Sequence, residues 1–544
     1  MKKQSLLLLL SSLIVASCTT TANSPVESSK EEQEPSTEEK SLSTSSSVDK
    51  TTSEFVESSS SVEESPSVES SSSVEESPSV DESPSVEESS SIDEPTDEQS
   101  SSEYVDPLIN QTKKVRDFLG SDGDVYRINI TTENGVFPAG KEEYVKGTLN
   151  MTEQDTSIVE LEDSEMGIKL RGNSTLDARK KAFKIKFDKK QSFFGLPKNK
   201  QWVLLANYFD KSNLRNYLAY TMARKMTNLK YQPSSIFVDV YFNNEYYGLF
   251  TLCEQMEANP GRVDVKDKVG ENGIDSLFIE ADVRARDEYN GYADIAYVDL
   301  WNYCFTFKYP DPDDYFDALV DKESEDEKTA KKANEFIDQY LKDMSWFKNH
   351  MNTAIDTLHN KGKYQEYFDV DSFIDYYLVE EFFKNVDVGS TSQYYYIDQT
   401  EEKPLIHTGP VWDFDISSGV TGNDYYSTYN NNDLYVRIAD QITKYFFRIE
   451  DFQLRVKDRY TELRNSVFAA VFDDINEAKI ALMKAQERNL TKWPIGNLPR
   501  TAWIEIYAYT EYYNSIATLD DHYVFLQDNL QDRLQIMDDN YLWK

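Results

Sequence analysis

The sequence predicts an α+β fold, with a strand-rich first part and a helical second part behind a long segment that does not fold. Three observations carry this. Near Tyr104 the composition changes from Ser, Glu and Pro to Tyr, Phe, Trp and mixed charge. Apolar residues then recur with period two at Tyr126, Ile128 and Ile130, at Ile168 and Leu170, and at Phe183, Ile185 and Phe187. Farther along the spacing turns helical, at Phe336, Tyr340 and Met344 and again at Phe525, Leu526, Leu530, Leu534 and Met537.

Taken in chain order, the first element is a leader. Lys2 and Lys3 precede the apolar run Leu6 to Leu13, and the small residues Val15-Ala16-Ser17 lead to Cys18, so residues 1–17 are expected to be a signal peptide. The pattern resembles a bacterial lipoprotein box, which implies cleavage before Cys18, lipidation of Cys18 and a cell-membrane location on the extracellular face. Two acyl chains hold a protein at a bilayer far better than one. No run after residue 20 is apolar for long enough to span a membrane.

Residues 18–103 are expected to be a disordered acidic linker. Residues 21–103 hold 23 acidic and 3 basic residues, so half of the net charge of −40 lies in under a sixth of the 544-residue chain. The repeat Ser61-Val62-Glu63-Glu64-Ser65-Pro66-Ser67-Val68 returns at Ser73 to Val80. With no apolar period to bury, such a segment cannot offset its ordering entropy and stays solvated as a tether. So acidic a chain repels polyphosphate backbones, and no nucleic-acid partner is expected.

Residues 104–544 are expected to fold, with a strand-rich lobe over about 104–257 and a helical lobe over about 258–544. In the first, Ile236 to Tyr241, Asn243-Asn244 and Tyr246 to Glu254 predict a hairpin with Asn supplying the tight turn. Leu214, Tyr217, Leu218, Met222 and Met226 predict one inserted helix, capped by Asp210 or Ser212. The lobes meet near residues 257–275, around Asn259-Pro260-Gly261. Lipidation of Cys18 would leave Cys253 and Cys304, which pair or stay free.

Common chemistries lack their signatures. There is no Gly-x-Ser-x-Gly, no Walker loop and no Gly-x-Gly-x-x-Gly, and His350, His359, His407 and His522 stand at no metal-site spacing. What remains is a set of acids facing a set of cations. A helix-like run ends at Asn385-Val386-Asp387, Gln393 opens a strand-like run, and a second short strand leads to Trp412-Asp413-Phe414-Asp415. Phosphoryl transfer to a hydroxyl needs one acid to orient the acceptor and further oxygen ligands to hold Mg²⁺ on the phosphates. In the first lobe, Lys181-Ala182-Phe183-Lys184-Ile185-Lys186 places Ala182, Lys184 and Lys186 on one face, as does the strand that presents the phosphate-binding lysine in protein kinases. A surface turn at Asp413-x-Asp415 and a solvated strand edge at the lysines are the plain alternatives.

Arg171-Gly172-Asn173-Ser174-Thr175, the Lys-rich strand, Trp202 to Tyr208 with Asp210 and Leu214-Arg215-Asn216, Tyr246-Tyr247-Gly248-Leu249 to Glu254, Asn385-x-Asp387 and Trp412-Asp413-x-Asp415 together resemble the CotH family of spore-coat and secreted proteins. The resemblance implies an atypical, two-lobed protein-kinase-like fold. It implies phosphorylation of Ser or Thr on secreted or surface proteins, with ATP and Mg²⁺, or Mn²⁺, as cofactors. By position, Asp387 is the catalytic acid, Asp413 or Asp415 the metal ligand, and Arg171 with one of Lys181, Lys184 or Lys186 meets the phosphates. The segment Gly248 to Met256 corresponds to the strand and hinge that receive the nucleotide base, with Glu254 a candidate partner for the lysine. The family usually has Asn where Gln393 stands, so Gln393 is carried over as a metal ligand with a longer arm.

Other functions stay open. A non-catalytic surface protein could use 36 Tyr and 7 Trp to stack sugars or matrix. A glycosidase would need two of Asp387, Asp413 and Asp415 facing across a groove at about 5–10 Å. Transfer of AMP would keep the nucleotide and change the product.

Overall fold

The computed structural model describes residues 114–154, 158–421, 433–496 and 499–542, all within one unit, Gln99–Lys544. Cys18, the leader and the Ser/Glu-rich segment lie outside the described residues. Seven strands form a closed barrel: β1 (Tyr126–Thr132), β2 (Val145–Thr152), β3 (Val159–Arg171), β4 (Ala182–Gln191), β5 (Asn199–Leu205), β6 (Ser235–Phe242) and β7 (Glu245–Glu254), in the order β1-β2-β3-β4-β5-β7-β6. All neighbours pair antiparallel except β6, which closes on β1 in parallel, with Ile128 opposite Val240.

The period-two pattern has a direct outcome in the barrel. Ile128, Ile168, Phe183, Ile185, Trp202, Leu204 and Val238 fill its interior at 0% exposure, so the alternate residues Lys169, Arg171, Lys184 and Lys186 lie on its outer face. Helix α1 (Arg215–Arg224) packs on that outer face, Tyr217 against Phe237 with ring centroids 5.3 Å apart. In the β6–β7 turn Asn243 and Asn244 take left-handed φ of 49° and 70°, the conformation a two-residue hairpin needs.

A second, five-stranded sheet follows, in the order β12-β11-β8-β10-β9: β8 (Leu277–Ala281), β9 (Tyr297–Leu300), β10 (Tyr303–Tyr309), β11 (Gln393–Ile397) and β12 (His407–Thr408). The helices are α2 (Pro312–Asp321), α3 (Glu327–His359) and α4 (Val370–Phe383), which pack on this sheet, α5 (Glu450–Leu463), α6 (Ala469–Ala481) and α8 (Leu519–Tyr541), and α7 (Met483–Lys492), which packs on β7 of the barrel. The architecture is α+β, but the second part is less purely helical than its spacing predicts. All of β8 is buried, as are Tyr303 to Phe307 of β10. Strands covered on both faces carry no alternation to betray them.

Cys253 and Cys304 are both buried and free. Among the described residues no helix is long and apolar enough to cross a membrane.

Candidate functional site

Asp387 sits in the turn after α4. The helix ends at Lys384, left-handed with φ 46°, and the turn then locks on itself. Asp387 N donates to Asn385 Oδ1 at 3.2 Å, while the amides of Ser390 and Thr391 donate to Asp387 O, each at 3.1 Å. Gly389 lets the loop press on its neighbour, since a Cβ there would meet Ala439 O at 2.7 Å. Burial first, and then the charge of Asp413, push the Asp387 carboxyl up to about 7, against the opposing pull of Arg284.

The Trp412-Asp413-Phe414-Asp415 turn is held from outside by α1 and the loop before it. Phe414 N donates to Asn216 Oδ1 at 2.7 Å, and Asn216 Nδ2 donates to Asn207 Oδ1 at 3.1 Å. Tyr220 stacks on Trp412 at 5.6 Å, with an interplanar angle of 11°. Arg215, fully buried, donates to Ser417 O at 3.0 Å and Ser418 O at 3.1 Å and pairs with Asp210 at 2.6 Å. Asp413 takes a left-handed φ of 66° and accepts a hydrogen bond from Ser392 Oγ at 3.3 Å. Asp415 is buried among acids: desolvation, Asp413, Asp210 and Asp387 raise its carboxyl well above the usual range, and Arg171 opposes them.

The cations come from the outer barrel face and the second sheet. Arg171 lies over the Trp412 ring, 5.6 Å from its centroid. The turn after it needs Gly172, left-handed at φ 97°, where a Cβ would collide with Thr175 Oγ1 at 1.9 Å. Lys184 stands opposite Lys169 in the β3–β4 register. Burial first, then Lys169, Lys308 and Arg171, lower its pKa to about 8, and Glu257 opposes them. Lys308 is paired with Glu280 at 3.2 Å, and the Tyr394 hydroxyl donates to Glu280 Oε1 at 2.9 Å.

The structure therefore brings together Asp387, Asp413, Asp415 and Arg171, with Lys184 linked to them only through Arg171 on the outer barrel face, and it separates the rest of the expected set. The Lys181 ammonium donates to the Leu176 carbonyl and Lys186 is exposed, so Lys184 is the lysine with such a link. Glu254 is not the partner of a lysine. It accepts from Ser234 N at 2.8 Å and lies 3.7 Å from Arg262 Nε. Met256 is buried beside a small pocket that Tyr231, Pro233, Val263 and Pro410 also line. Gln393 has both polar atoms engaged: Nε2 donates to Asp440 Oδ2 at 2.6 Å and Oε1 accepts from Gly389 N at 3.3 Å. As placed, it braces the Asp387 turn. Arg284, Asp282 and Ser392 join the site without having been expected from the sequence, because each reaches it through tertiary contact alone.

A family model described as CotH kinase protein matches residues 168–537, more than half of the chain. The chain belongs to the CotH kinase family. No curated protein matches it. Within the matched span fall Arg171, Lys184, the α1 frame, Asp387 and both carboxylates of the Trp412–Asp415 turn.

Metal fit can be tested on the donor set. Among the described residues no group of three or more His, Cys, Asp or Glu is arranged to hold an ion by itself. Mg²⁺ seldom uses such a cage and is usually bound by one or two carboxylates together with substrate phosphates and water. Two acids crowded in one turn, one of them driven toward protonation by its neighbours, fit that mode.

Proposed function

We propose that this CotH family member is a kinase-like phosphotransferase that moves the γ-phosphoryl group of ATP to Ser or Thr hydroxyls of secreted or cell-surface proteins, tethered to the membrane through lipidated Cys18. The observation that carries the reading is the opposition of charges at one place. Asp413 raises the Asp387 carboxyl, and Asp413 and Asp387 raise that of Asp415, while Arg171 opposes the last from the barrel with Lys184 beside it. A nucleotide polyphosphate with a divalent cation is the ligand class that relieves both halves at once.

In the proposed reaction Asp387 accepts the proton of the acceptor hydroxyl as its oxygen bonds to the γ-phosphorus. The bond from that phosphorus to the β–γ bridging oxygen breaks and ADP leaves. With a carboxyl near neutrality, Asp387 is poised for such proton transfer. Asp413 and Asp415 would hold Mg²⁺, which would neutralise phosphate charge and, by its own charge, favour the ionised acids. Arg171 and Lys184 would meet phosphate oxygens. The pocket beside Met256 would receive the base.

A non-catalytic surface binding protein is the second reading, and it is supported by the engagement of Gln393, one expected metal ligand, with Asp440 and Gly389. Incubation with γ-labelled and α-labelled ATP, Mg²⁺ or Mn²⁺ and a generic acceptor protein separates them. Transfer of γ-label by the wild type, abolished in a folded Asp387→Ala variant, is the expected outcome. No transfer by a folded wild type, or transfer undiminished in the variant, would overturn the kinase reading, and α-label in the product would mean nucleotide transfer.

A further inference from the structure

A second cavity adjoins this cluster through Asp210 and lies between the barrel and the chain that follows α7. Its walls include Lys180 and Lys211 from the barrel side and Trp493, Arg500, Tyr509 and His522 from the C-terminal side. Lys180 is 2% exposed, and its ammonium donates to the carbonyls of Ala206, at 2.9 Å, and Leu249. Lys211 donates to Tyr208 O at 2.8 Å, with its ammonium 4.1 Å from the centre of the Tyr208 ring. Among the described residues neither ammonium hydrogen-bonds a carboxylate. Burial lowers both, Lys180 to about 7 and Lys211 to about 8.

The carboxylates of the lining are shared between the cavity, where both act on Lys211 and Glu505 also on Tyr208, and partners outside it. Asp210 pairs with Arg215, and Glu505 caps the amides of Thr501 at 3.1 Å and Ala502 at 3.2 Å. His522 is 1% exposed and its Nδ1 has no hydrogen-bond partner. A buried ring nitrogen left unpaired beside a cavity calls for a ligand or water to complete it. Two buried ammonium groups hydrogen-bonded only to carbonyls have their charge offset only in part, Lys211 by Glu505 and Asp210 and Lys180 by Asp239, so their burial stays costly. An anion would relieve that cost.

We propose that this cavity is a binding site for a small phosphorylated molecule with a ring, whose phosphate is met by Lys211, Lys180 and Arg500 and whose ring lies among Trp493, Tyr208 and Tyr509. Aromatic walls with a few convergent polar groups are the usual build of a small-molecule site. The two halves of such a ligand match the two halves of this lining. Asp210 belongs both to the lining and to the buried pair with Arg215, whose guanidinium holds Ser417 and Ser418. Occupancy therefore presses on the frame of the Asp413 turn.

The test is calorimetric titration of the full chain with phenyl phosphate, orthophosphate and phenol, carried out in a Lys184→Met background so that phosphate binding at the first site is weakened. Phenyl phosphate is expected to bind more tightly than either fragment, and addition of Lys211→Met or of Arg500→Ser is expected to weaken it by about tenfold, the loss typical of one charge-assisted hydrogen bond. Arg500 is exposed, so its variant leaves folding intact and keeps the test open if Lys211→Met unfolds. No binding of phenyl phosphate, or affinity unchanged by both added substitutions, would overturn the proposal. γ-Phosphoryl transfer at Asp387 is assayed separately, without phenyl phosphate, so that failure of either reading is distinguishable.

Discussion

Arg215 Nη1 lies 2.6 Å from Asp210 Oδ1, with the side chains 0% and 1% exposed, and the same guanidinium donates to the carbonyls of Ser417 and Ser418. A buried pair of this kind costs desolvation on both sides, and its advantage over an apolar pair lies in geometry. The geometry here is the join between α1 and the chain just after Asp415. Asp210 also accepts from Arg215 N at 2.8 Å and from Ser212 Oγ at 2.5 Å, so it fixes the start of the helix and its most buried side chain together.

Removing one partner strands the other charge. Arg215→Met is expected to lower stability by about 3–5 kcal/mol in urea unfolding, the range for breaking a buried pair, and the double variant Arg215→Met with Asp210→Leu to recover part of that loss. A single-variant loss below about 1 kcal/mol would contradict the role given to the pair.

Asn216 offers a separable effect. Its Oδ1 accepts from Phe414 N and from the Tyr220 hydroxyl, at 2.7 and 3.2 Å. Asn216→Leu leaves the Phe414 amide unpaired and should cost about 1–3 kcal/mol. If Asp413 positions a metal, the loosened turn should also slow phosphoryl transfer by roughly 100-fold, the scale of an ångström-sized misplacement. Measured side by side, an unfolding titration that moves while kcat does not would detach this asparagine from the chemistry.

His407 gives a pH signature of stability away from the site. Its ring stacks on Tyr396 at 4.6 Å and bonds Asp369 at 2.7 Å and Glu401 at 3.1 Å. Burial alone would lower its pKa, but those two acids raise it to about 9. Since the folded value exceeds the unfolded value of about 6.5, the added stability is complete below about pH 6.5 and is lost as pH rises through 9. The loss should amount to about 2–3 kcal/mol. Thermal melts from pH 6 to 9.5 should fall more steeply for the wild type than for His407→Gln; parallel curves would refute it.

Local signals in the sequence were enough for β1, the end of β3 and β4, because residues such as Phe183, Ile185 and Phe187 face a closed interior while Lys184 and Lys186 do not, and for the β6–β7 hairpin with its Asn243-Asn244 turn, whose positive φ Asn tolerates, but β2 and β5 were not read. The β8 run Leu277 to Ala281 carried no such signal, being covered on both sides. Within the site, the acids stood out by their place after a helix and a strand. Period two explains why Lys184 and Lys186 could not be told apart: they share a face, and only the approach of Lys308, Arg171 and Glu257 distinguishes the first. Gln393 looked like a ligand in sequence because nothing local announces Asp440, 47 residues on, as its partner. Glu254 misled for the same reason, its Arg262 arriving from the next loop.

Asp387 couples function to stability in opposite directions. Its carboxyl is raised from 3.8 to about 7, first by burial and then by Asp413. A folded value above the unfolded one means that the protonated form is favoured by folding, so the associated stability is present below about pH 4 and is lost as pH climbs through 7. Asp387→Asn imitates the protonated acid at every pH. The variant should therefore match the wild type near pH 4 and exceed it by about 2 kcal/mol or more at pH 8, while phosphoryl transfer is lost. Added Mg²⁺ and nucleotide should raise the melting temperature of the wild type at pH 8 and do much less for the variant's neighbour Asp413→Asn, since removing that carboxylate takes away both a metal ligand and the charge that elevates Asp387. Urea unfolding of the three proteins at pH 4 and pH 8 decides it: an Asp387→Asn variant less stable than wild type at pH 8 would mean that the ionised carboxylate is held by attractive contacts and is not strained by its acidic neighbours.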